Sequence, residues 1–284
     1  MLDLHIHTTA SDGTATPEEV VRMAKKKGFS LISITDHDTM DGVKEALEAG
    51  KKYNVEVIPG VEISAGVDLE VHMLGYGMSP DHPIMIEMME DMKRARIDRM
   101  VRMIENLRKM GIDITQEEVE ALADGAIGRP HIARVMIAHG VVPDVRTAFR
   151  EYIGLNAPAY AERRKMTSEQ VIRNIREAGG VPVLAHGGLL RISEVQMNQW
   201  IDNMVKAGLM GLECYHNAHT PAMERFLRNA AQKRGLLVTG GSDFHGTTRM
   251  DIDLGTGLAR WDDRQCCRGK LLNAIEKAKK SSGC

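Results

Sequence analysis

Short apolar segments alternate with amphipathic segments along most of the chain, a pattern typical of βα units built around a parallel sheet. The first helix has Thr16 as a predicted N-cap, Pro17 in its first turn and Gly28 as its stop. About seven segments have strand character, which favours a (β/α) barrel over an open doubly wound sheet. We predict strands at 2–7, 31–35, 56–63, 69–76, 181–186, 210–215 and 236–240, and helices at 17–27, 41–53, 169–178, 194–207, 221–234 and 271–280.

The pattern changes in the middle of the chain. Residues 82–110 predict one long, methionine-rich and highly charged helix, and further helical segments follow to about residue 150. No strand pattern occurs there, so we predict a helical insertion, or cap. The expected division is a barrel of residues 1–80 and 166–284 with a cap at 81–165.

Composition limits the classes of function. The 37 Lys and Arg residues nearly balance the 39 Asp and Glu residues, giving a formal charge of −2. Such a chain has no overall field that attracts duplex nucleic acid or a membrane, so anion-binding charge must be local. The 19 methionines are expected to fill a helical core.

The cysteines and the N-terminus favour the cytoplasm. Cys214, Cys266, Cys267 and Cys284 include no CxxC pair and suggest no disulfide framework. The N-terminal segment MLDLHIH lacks the basic region and long apolar run of a signal peptide. We therefore expect a soluble protein in a reducing cytoplasm; the sequence leaves the oligomeric state open.

Ionisable residues recur in or directly after the predicted strands. His5 and His7 lie two residues apart on the first strand, so both imidazoles point to one face and can share a metal ion. Asp12 follows in a polar turn, where simple turn chemistry is the alternative explanation. The remaining candidates occupy the same kind of position on five further strands, and they are His37, Glu62, His72, His186, Asp243 and His245.

These nine donors predict a metal centre with more than one ion. Taken singly, each is equally well explained as a core histidine or a turn acid, but their recurrence on so many strands is specific. A structural zinc needs only four ligands and favours cysteine, which is placed elsewhere. Imidazole and carboxylate donors suit Mn²⁺, Fe²⁺ or Zn²⁺. Asp36 and Asp38 are candidates for orienting ligand imidazoles.

Six motifs in order resemble the PHP (polymerase and histidinol phosphatase) superfamily. They are HIHTTASDG, ITDHDTMDG, PGVEIS, VHMLGY, VLAHGG and GSDFH, and they span nearly the whole chain. The segments GRPHIARVMIAHG and PAYAERRKMTSEQVI are similar to the bacterial branch of 3′,5′-nucleoside bisphosphate phosphatases and RNase AM-like 5′-3′ exoribonucleases. This resemblance implies a distorted (β/α)7 barrel with a helical cap.

The resemblance also implies two or three divalent ions and an assignment of their ligands. Asp12 favours the nucleotide branch, because relatives of the histidinol phosphatase type tend to have histidine there. Gly187 and Gly188 stand where relatives often have proline after the histidine, so the shape of that loop is open. The implied centres are His5, His7, Glu62 and Asp243 for one ion; Glu62, His72 and His186 for a second; and Asp12, His37 and His245 for a third.

Substrate contacts require donors outside this cluster. Arg129 lies between Gly128 and Pro130, where a guanidinium can bind phosphate in bidentate fashion, although exposure to solvent is the alternative. Arg163, Arg164 and Lys165 form a compact basic run. We expect substrate contacts from Arg129, His131, Arg163 and Lys165, and catalytic roles for Asp243 and His216, the latter as a phosphate contact or an acid.

The predicted enzyme is a metal-dependent phosphoesterase acting through metal-activated hydroxide without a covalent intermediate. Its expected substrates are 3′,5′-bisphosphorylated nucleosides or short 5′-phosphorylated oligonucleotides. Histidinol phosphatase, or another small-molecule phosphatase, is the nearest alternative. Two further alternatives are a metal-binding regulatory module and an amidohydrolase acting on C–N bonds.

Overall fold

A computed structural model describes residues 1–66, 69–122, 127–262 and 264–282. Within these residues the strands form one seven-stranded sheet in the order β1 to β7. After β7, the N–H of His7 donates to the Phe244 carbonyl oxygen at 2.9 Å, which brings the two ends of the sheet together. The nearly closed barrel is therefore confirmed. Its strands are β1 (Leu2–Ile6), β2 (Leu31–Ile34), β3 (Glu56–Ala65), β4 (Val71–Tyr76), β5 (Val181–Leu184), β6 (Gly211–His216) and β7 (Leu237–Gly241).

The expectation of a fully parallel sheet is wrong at β4. This strand pairs antiparallel with both β3 and β5, whereas β1–β2, β2–β3, β5–β6 and β6–β7 are parallel. Only five residues separate Ala65 from Val71, and a parallel crossover needs a dozen or more. The reversal places the start of β4 beside the end of β3, where His72 pairs with Ser64.

The helices follow the predicted boundaries closely, except that the last one begins at Arg264 and not at residue 271. Thr16 and Glu19 form the capping box of the first helix, and His82 caps the long helix at its N-terminus. The helices in the described part of the chain are α1 (Pro17–Lys26), α2 (Val43–Tyr53), α3 (Pro83–Lys109), α4 (Gln116–Glu120), α5 (Arg129–Ala138), α6 (Val145–Ala148), α7 (Ser168–Glu177), α8 (Glu194–Ala207), α9 (Pro221–Arg234) and α10 (Arg264–Ser282), with a π-helical turn at Phe149–Ile153.

Helices α3 to α6 lie between β4 and β5 and carry an apolar cluster of their own, with Met100, Met103 and Met136 buried in it. Met85, Met88 and Met92 of the same long helix pack instead on the main core, as expected for methionines that fill irregular space. The exact limits of the cap stay a prediction. Cys284 lies outside the described residues. None of the described helices combines the length and apolarity needed to cross a bilayer.

Candidate metal centre

The barrel brings His5 and His7 to one face of β1, as their spacing predicts. Both side chains are fully buried, and their ring centroids are 5.2 Å apart. Gly241 of β7 packs against His5 so closely that a Cβ there would lie 2.1 Å from the Cβ of His5. This glycine is what allows the seam between the first and last strands to close at the site.

Glu62 of β3 is the centre of the arrangement. Its carboxylate is fully buried, and five imidazoles surround it. Oε1 lies 2.9 Å from His72 Nδ1 and 2.8 Å from His186 Nε2. Oε2 lies 2.8 Å from His37 Nδ1, and 3.3 Å from the Nε2 atoms of both His5 and His7. The antiparallel turn into β4 is what puts His72 in this group.

Asp243 and Asp12 complete the cluster. Asp243 Oδ1 lies 3.2 Å from His7 Nε2 and 3.6 Å from both His5 Nε2 and His245 Nδ1. Asp12 Oδ1 lies 3.4 Å from His245 Nε2. The structure thus brings all nine predicted donors together. Donor atoms within 4.8 Å of one another form four groups: His5–His7–Asp243, His5–Glu62–His186, His37–Glu62–His72 and His7–Asp12–His37–His245.

Unsatisfied polar atoms test whether these residues fit metal ions. Buried polar atoms in proteins nearly always have hydrogen-bond partners. Here several buried atoms that face the centre of the cluster make no contact with hydrogen-bond geometry to any described residue, and they are His5 Nε2, His7 Nδ1 and Nε2, His37 Nδ1, Glu62 Oε2 and His245 Nε2. Divalent cations would satisfy these lone pairs together, so the donor set fits a multinuclear centre.

The pKa values reflect the density of charge. Burial lowers the pKa of His7, but contacts with Asp243 and Glu62 outweigh it and raise that pKa to about 9. Burial dominates at His37 and lowers its pKa to about 4. Burial raises the pKa of Glu62, but the surrounding histidines hold it well below its usual value. The carboxylates are therefore ionised and ready to bind cations.

His216 ends β6 and faces this centre. Its Nε2 lies 3.4 Å from Asp243 Oδ2, while its Nδ1 accepts a hydrogen bond from the N–H of Ala218 at 3.1 Å. An Nδ1 that accepts leaves the ring proton on Nε2. His216 therefore presents an N–H to the site, which suits a hydrogen bond to a substrate oxygen.

Asp36 has a different role from the expected one. It accepts hydrogen bonds of 2.7 Å from the Thr8 amide, the Thr8 hydroxyl and the Ser11 hydroxyl. These bonds fix the loop that carries Asp12 and do not orient a ligand imidazole.

Asp38 also departs from the expectation, because it pairs with arginines. Its Oδ2 accepts from Arg96 Nε at 2.9 Å and from Arg163 at 2.5 Å. Burial raises the pKa of Asp38, but Arg96 and Arg163 more than reverse this and hold it far below its usual range. The Asp38 N–H donates to the Glu62 carbonyl oxygen at 2.8 Å, so this pairing adjoins the metal centre.

Four arginines gather at this point, and we call Arg96, Arg99, Arg129 and Arg163 the arginine cluster. Burial, together with the charges of Arg96 and Arg163, lowers the pKa of Arg99 to about 9. Arg163 Nε is buried and has no hydrogen-bond partner among the described residues. Arg129 lies over the rings of Phe149 and Tyr160, at 5.2 and 5.7 Å from their centroids. Both rings therefore pack against the guanidinium of Arg129.

The other predicted substrate residues lie around this cluster. Lys165 Nζ pairs with Glu70 at 3.0 Å, and the charge of Glu70 also acts on Arg129. His131 is buried, and its Nδ1 accepts from the Gly128 N–H at 3.0 Å, which caps α5. Arg164 of the same basic run is exposed.

Sequence reasoning missed Arg96, Arg99 and Glu213. The first two lie at positions of α3 whose neighbours on the helix, such as Met92 and Met103, face the interior, which is the signal that was available. Glu213 is a single acid between Leu212 and Cys214 of a buried strand, the same signal that singled out Glu62.

Comparison with known proteins now adds to this geometry. Residues 3–153 match the family model of the PHP domain. The chain belongs to the PHP domain family. It is therefore a metal-dependent hydrolase of phosphoester bonds, as its sequence predicts, rather than a regulatory module.

Individual PHP relatives cover almost the whole chain. A 5′-3′ exoribonuclease of Haemophilus influenzae is 32% identical over 90% of this chain and 93% of its own length. A 3′,5′-nucleoside bisphosphate phosphatase of Chromobacterium violaceum is 31% identical over 89% of this chain and 90% of its own. A crystal structure assigned as a metal-dependent phosphoesterase, from Bifidobacterium adolescentis, is 34% identical, covers 96% of both chains and has a TM-score of 0.86.

Proposed function

We propose that this PHP enzyme removes the 3′-phosphate of 3′,5′-bisphosphorylated nucleosides and cleaves the first phosphodiester of short 5′-phosphorylated oligonucleotides. The observation that carries the proposal is the arginine cluster beside the metal centre. A phosphomonoesterase needs one anion site for the phosphate that reacts. A second site, rich in buried arginine, indicates a substrate with a second phosphate.

The same geometry accounts for both names among the relatives. A nucleoside 3′,5′-bisphosphate and a 5′-phosphorylated oligonucleotide share a terminal 5′-phosphate and a 3′-phosphorus one ribose away. The arginine cluster would hold the 5′-phosphate, and the metal centre would hold the 3′-phosphorus in both cases. In both reactions water adds to the phosphorus and the bond from phosphorus to the 3′-oxygen of the first nucleoside breaks, that oxygen leaving with a proton. The phosphorus of the bisphosphate carries only non-bridging oxygens besides this bond, whereas that of the oligonucleotide also carries the next nucleotide.

We assign the nine donors to the ions as the family resemblance implies, with Glu62 shared between two of them. When bound, two or three Mn²⁺, Fe²⁺ or Zn²⁺ ions lower the pKa of water and neutralise the phosphoryl oxygens. His216 donates a hydrogen bond from Nε2 to a substrate oxygen. Asp243 lies between His216 and His7. Arg99, Arg129 and Arg163 bind the distal phosphate, and Lys165 and His131 border it.

Substrate selectivity tests the proposal. Purified protein reconstituted with Mn²⁺ is assayed on adenosine 3′,5′-bisphosphate, adenosine 3′-monophosphate, histidinol phosphate, and a trinucleotide with and without its 5′-phosphate. We expect the bisphosphate and the 5′-phosphorylated trinucleotide to have the highest kcat/KM. Turnover of histidinol phosphate without turnover of the bisphosphate would show that the alternative, histidinol phosphatase, is correct.

An Asp243→Asn variant supplies the control for this assay. It keeps the size of the side chain and removes a charge that lies within 4 Å of His5, His7, His216 and His245. We expect activity to fall by orders of magnitude with an unchanged circular dichroism spectrum. Wild-type activity in this variant would show that hydrolysis occurs elsewhere, for example through a contaminating phosphatase.

A cytoplasmic location remains a prediction.

A further inference from the structure

Glu213 of β6 contacts two different residues of the metal centre. Its side chain is buried, and its Oε1 lies 3.0 Å from His5 Nδ1. Its Oε2 accepts a hydrogen bond of 2.6 Å from the backbone N–H of His186. Neither the motif pattern nor the assignment of ligands includes this glutamate.

The contact with His5 fixes which nitrogen can bind metal. An ionised carboxylate accepts only, so the His5 ring must carry its proton on Nδ1. The Nε2 lone pair is then directed at Glu62 and Asp243, whose oxygens lie at 3.3 and 3.6 Å. Carboxylates that hold ligand histidines in this way raise the basicity of the ligand nitrogen and fix its ring.

The contact with His186 restrains a strained backbone. His186 has a φ of 23°, in the left-handed region that residues with a Cβ rarely adopt. Glu213 holds the N–H of this residue from one side. On the other side, the N–H of Gly188 donates to His219 Nε2 at 3.1 Å, and His219 Nδ1 in turn donates to the Cys214 carbonyl oxygen at 3.0 Å.

Glycine at position 188 permits this arrangement. A Cβ on Gly188 would lie 2.6 Å from His219 Cδ2, closer than real Cβ contacts. The loop after β5 is held by two side chains, one from β6 and one from the loop that follows β6. The turn of His186 is therefore set by Glu213 and His219 together.

We propose that Glu213 and His219 are positioning residues that couple the His5 and His186 parts of the metal centre. Glu213 does so directly, because one carboxylate fixes the ring of one ligand and the backbone of the other. His219 acts on His186 alone, through Gly188. The inference rests on the metal centre of the proposed function.

Metal binding by a Glu213→Gln variant is the first test. An amide has one accepting and one donating end, so it can satisfy either His5 Nδ1–H or the His186 N–H, but not both. Mn²⁺ is titrated calorimetrically into metal-depleted full-length protein, and bound ions are counted at fixed free Mn²⁺. We expect an affinity about 10- to 100-fold lower for the affected ions, as is usual when such a partner is lost.

The matched control is Asp202→Asn, which weakens a carboxylate–arginine pair with Arg234 on the outer helices. It should bind Mn²⁺ as the wild type does. Wild-type stoichiometry and affinity in Glu213→Gln would overturn the inference. A wild-type protein that binds Mn²⁺ normally but does not hydrolyse nucleotides would refute the proposed function and leave this inference intact.

A pair of variants at His219 keeps the test decisive if Glu213→Gln does not fold. His219→Gln retains a donor and an acceptor, whereas His219→Ala has neither. We expect the alanine variant to lose affinity and to change the visible spectrum of the Co²⁺-loaded protein, and the glutamine variant to recover both in large part. Equal behaviour of the two variants would show that His219 fills space only.

Discussion

Replacing Arg99 with methionine should stabilise the free protein while weakening its hold on substrate. Arg99 is only 9% exposed and pairs with no carboxylate among the described residues, although Asp38 lies near enough to oppose its shift. Methionine has similar length, no charge and no need for hydrogen bonds. The substitution therefore removes both a buried charge and its repulsion from Arg96 and Arg163.

The two magnitudes follow from this environment. Replacement of buried charge by an apolar side chain of similar volume commonly stabilises, and we expect about 1–2 kcal/mol here. In chains of a few hundred residues that raises Tm by about 2–4 °C for each kcal/mol. A hydrogen bond between charged groups contributes about 1.5–3 kcal/mol, so loss of one phosphate contact should raise the KM for a bisphosphate about 10- to 150-fold.

The assay compares Tm, measured by calorimetry, with kcat/KM on adenosine 3′,5′-bisphosphate and on adenosine 3′-monophosphate. We expect kcat/KM for the monophosphate to change little, because it lacks the phosphate that the cluster binds. An Arg94→Met variant on the exposed face of the same helix is the control and should change neither the Tm nor kcat/KM on either substrate. Equal losses on both substrates, or a lower Tm, would refute our account of the cluster.

Three further changes test other parts of the structure. Removal of bound ions with a chelator should abolish hydrolysis and lower Tm, because the carboxylates of the centre lose their counter-charges. Added Mn²⁺ should restore the activity and the Tm. A chelated protein with full activity would exclude metal-dependent hydrolysis. Asp38→Asn keeps the side chain's shape but leaves Arg96 and Arg163 without their carboxylate partner. The free energy of unfolding measured with urea should therefore fall by about 3–5 kcal/mol. An unchanged urea midpoint would show that water already screens the charges of Asp38 and the two arginines. Gly241→Ala forces its Cβ against His5, so we expect poor yield and weak Mn²⁺ binding by calorimetry, and normal binding would mean that the barrel seam can open without harm.

The cluster of candidate metal ligands was predictable because each of its residues has a local signal. A histidine or carboxylate within or directly after a buried strand is costly unless it binds something, and parallel strands bring such residues to one edge. His72 is instructive, because it lies at the start of its strand and joins the others only through the antiparallel turn. A single polar residue in an apolar strand singled out His72, but the direction of that strand, which brings it to the other donors, was not predicted.

The arginine cluster was predictable only in part. Arg94 and Arg96 look alike in the sequence, but the first is exposed and the second is buried against Asp38. That difference depends on which face of α3 packs on the barrel, a tertiary fact. Glu213 carried a usable signal, but its partners lie on β1 and after β5, and no spacing within the sequence indicates that they meet.

The arginine cluster has an evolutionary consequence. All four guanidinium groups come from the stretch between β4 and α7, whereas the nine candidate metal ligands come from the strands and loops of the barrel. Mutation can therefore alter what is bound without disturbing how it is hydrolysed, and the two traits can be selected separately. Asp38 is the exception, since it belongs to the barrel and pairs with both Arg96 and Arg163. If the inserted helices are replaced during evolution, the residue at position 38 loses its arginine partners and must change with them. We therefore expect position 38 to vary among PHP proteins that differ in substrate.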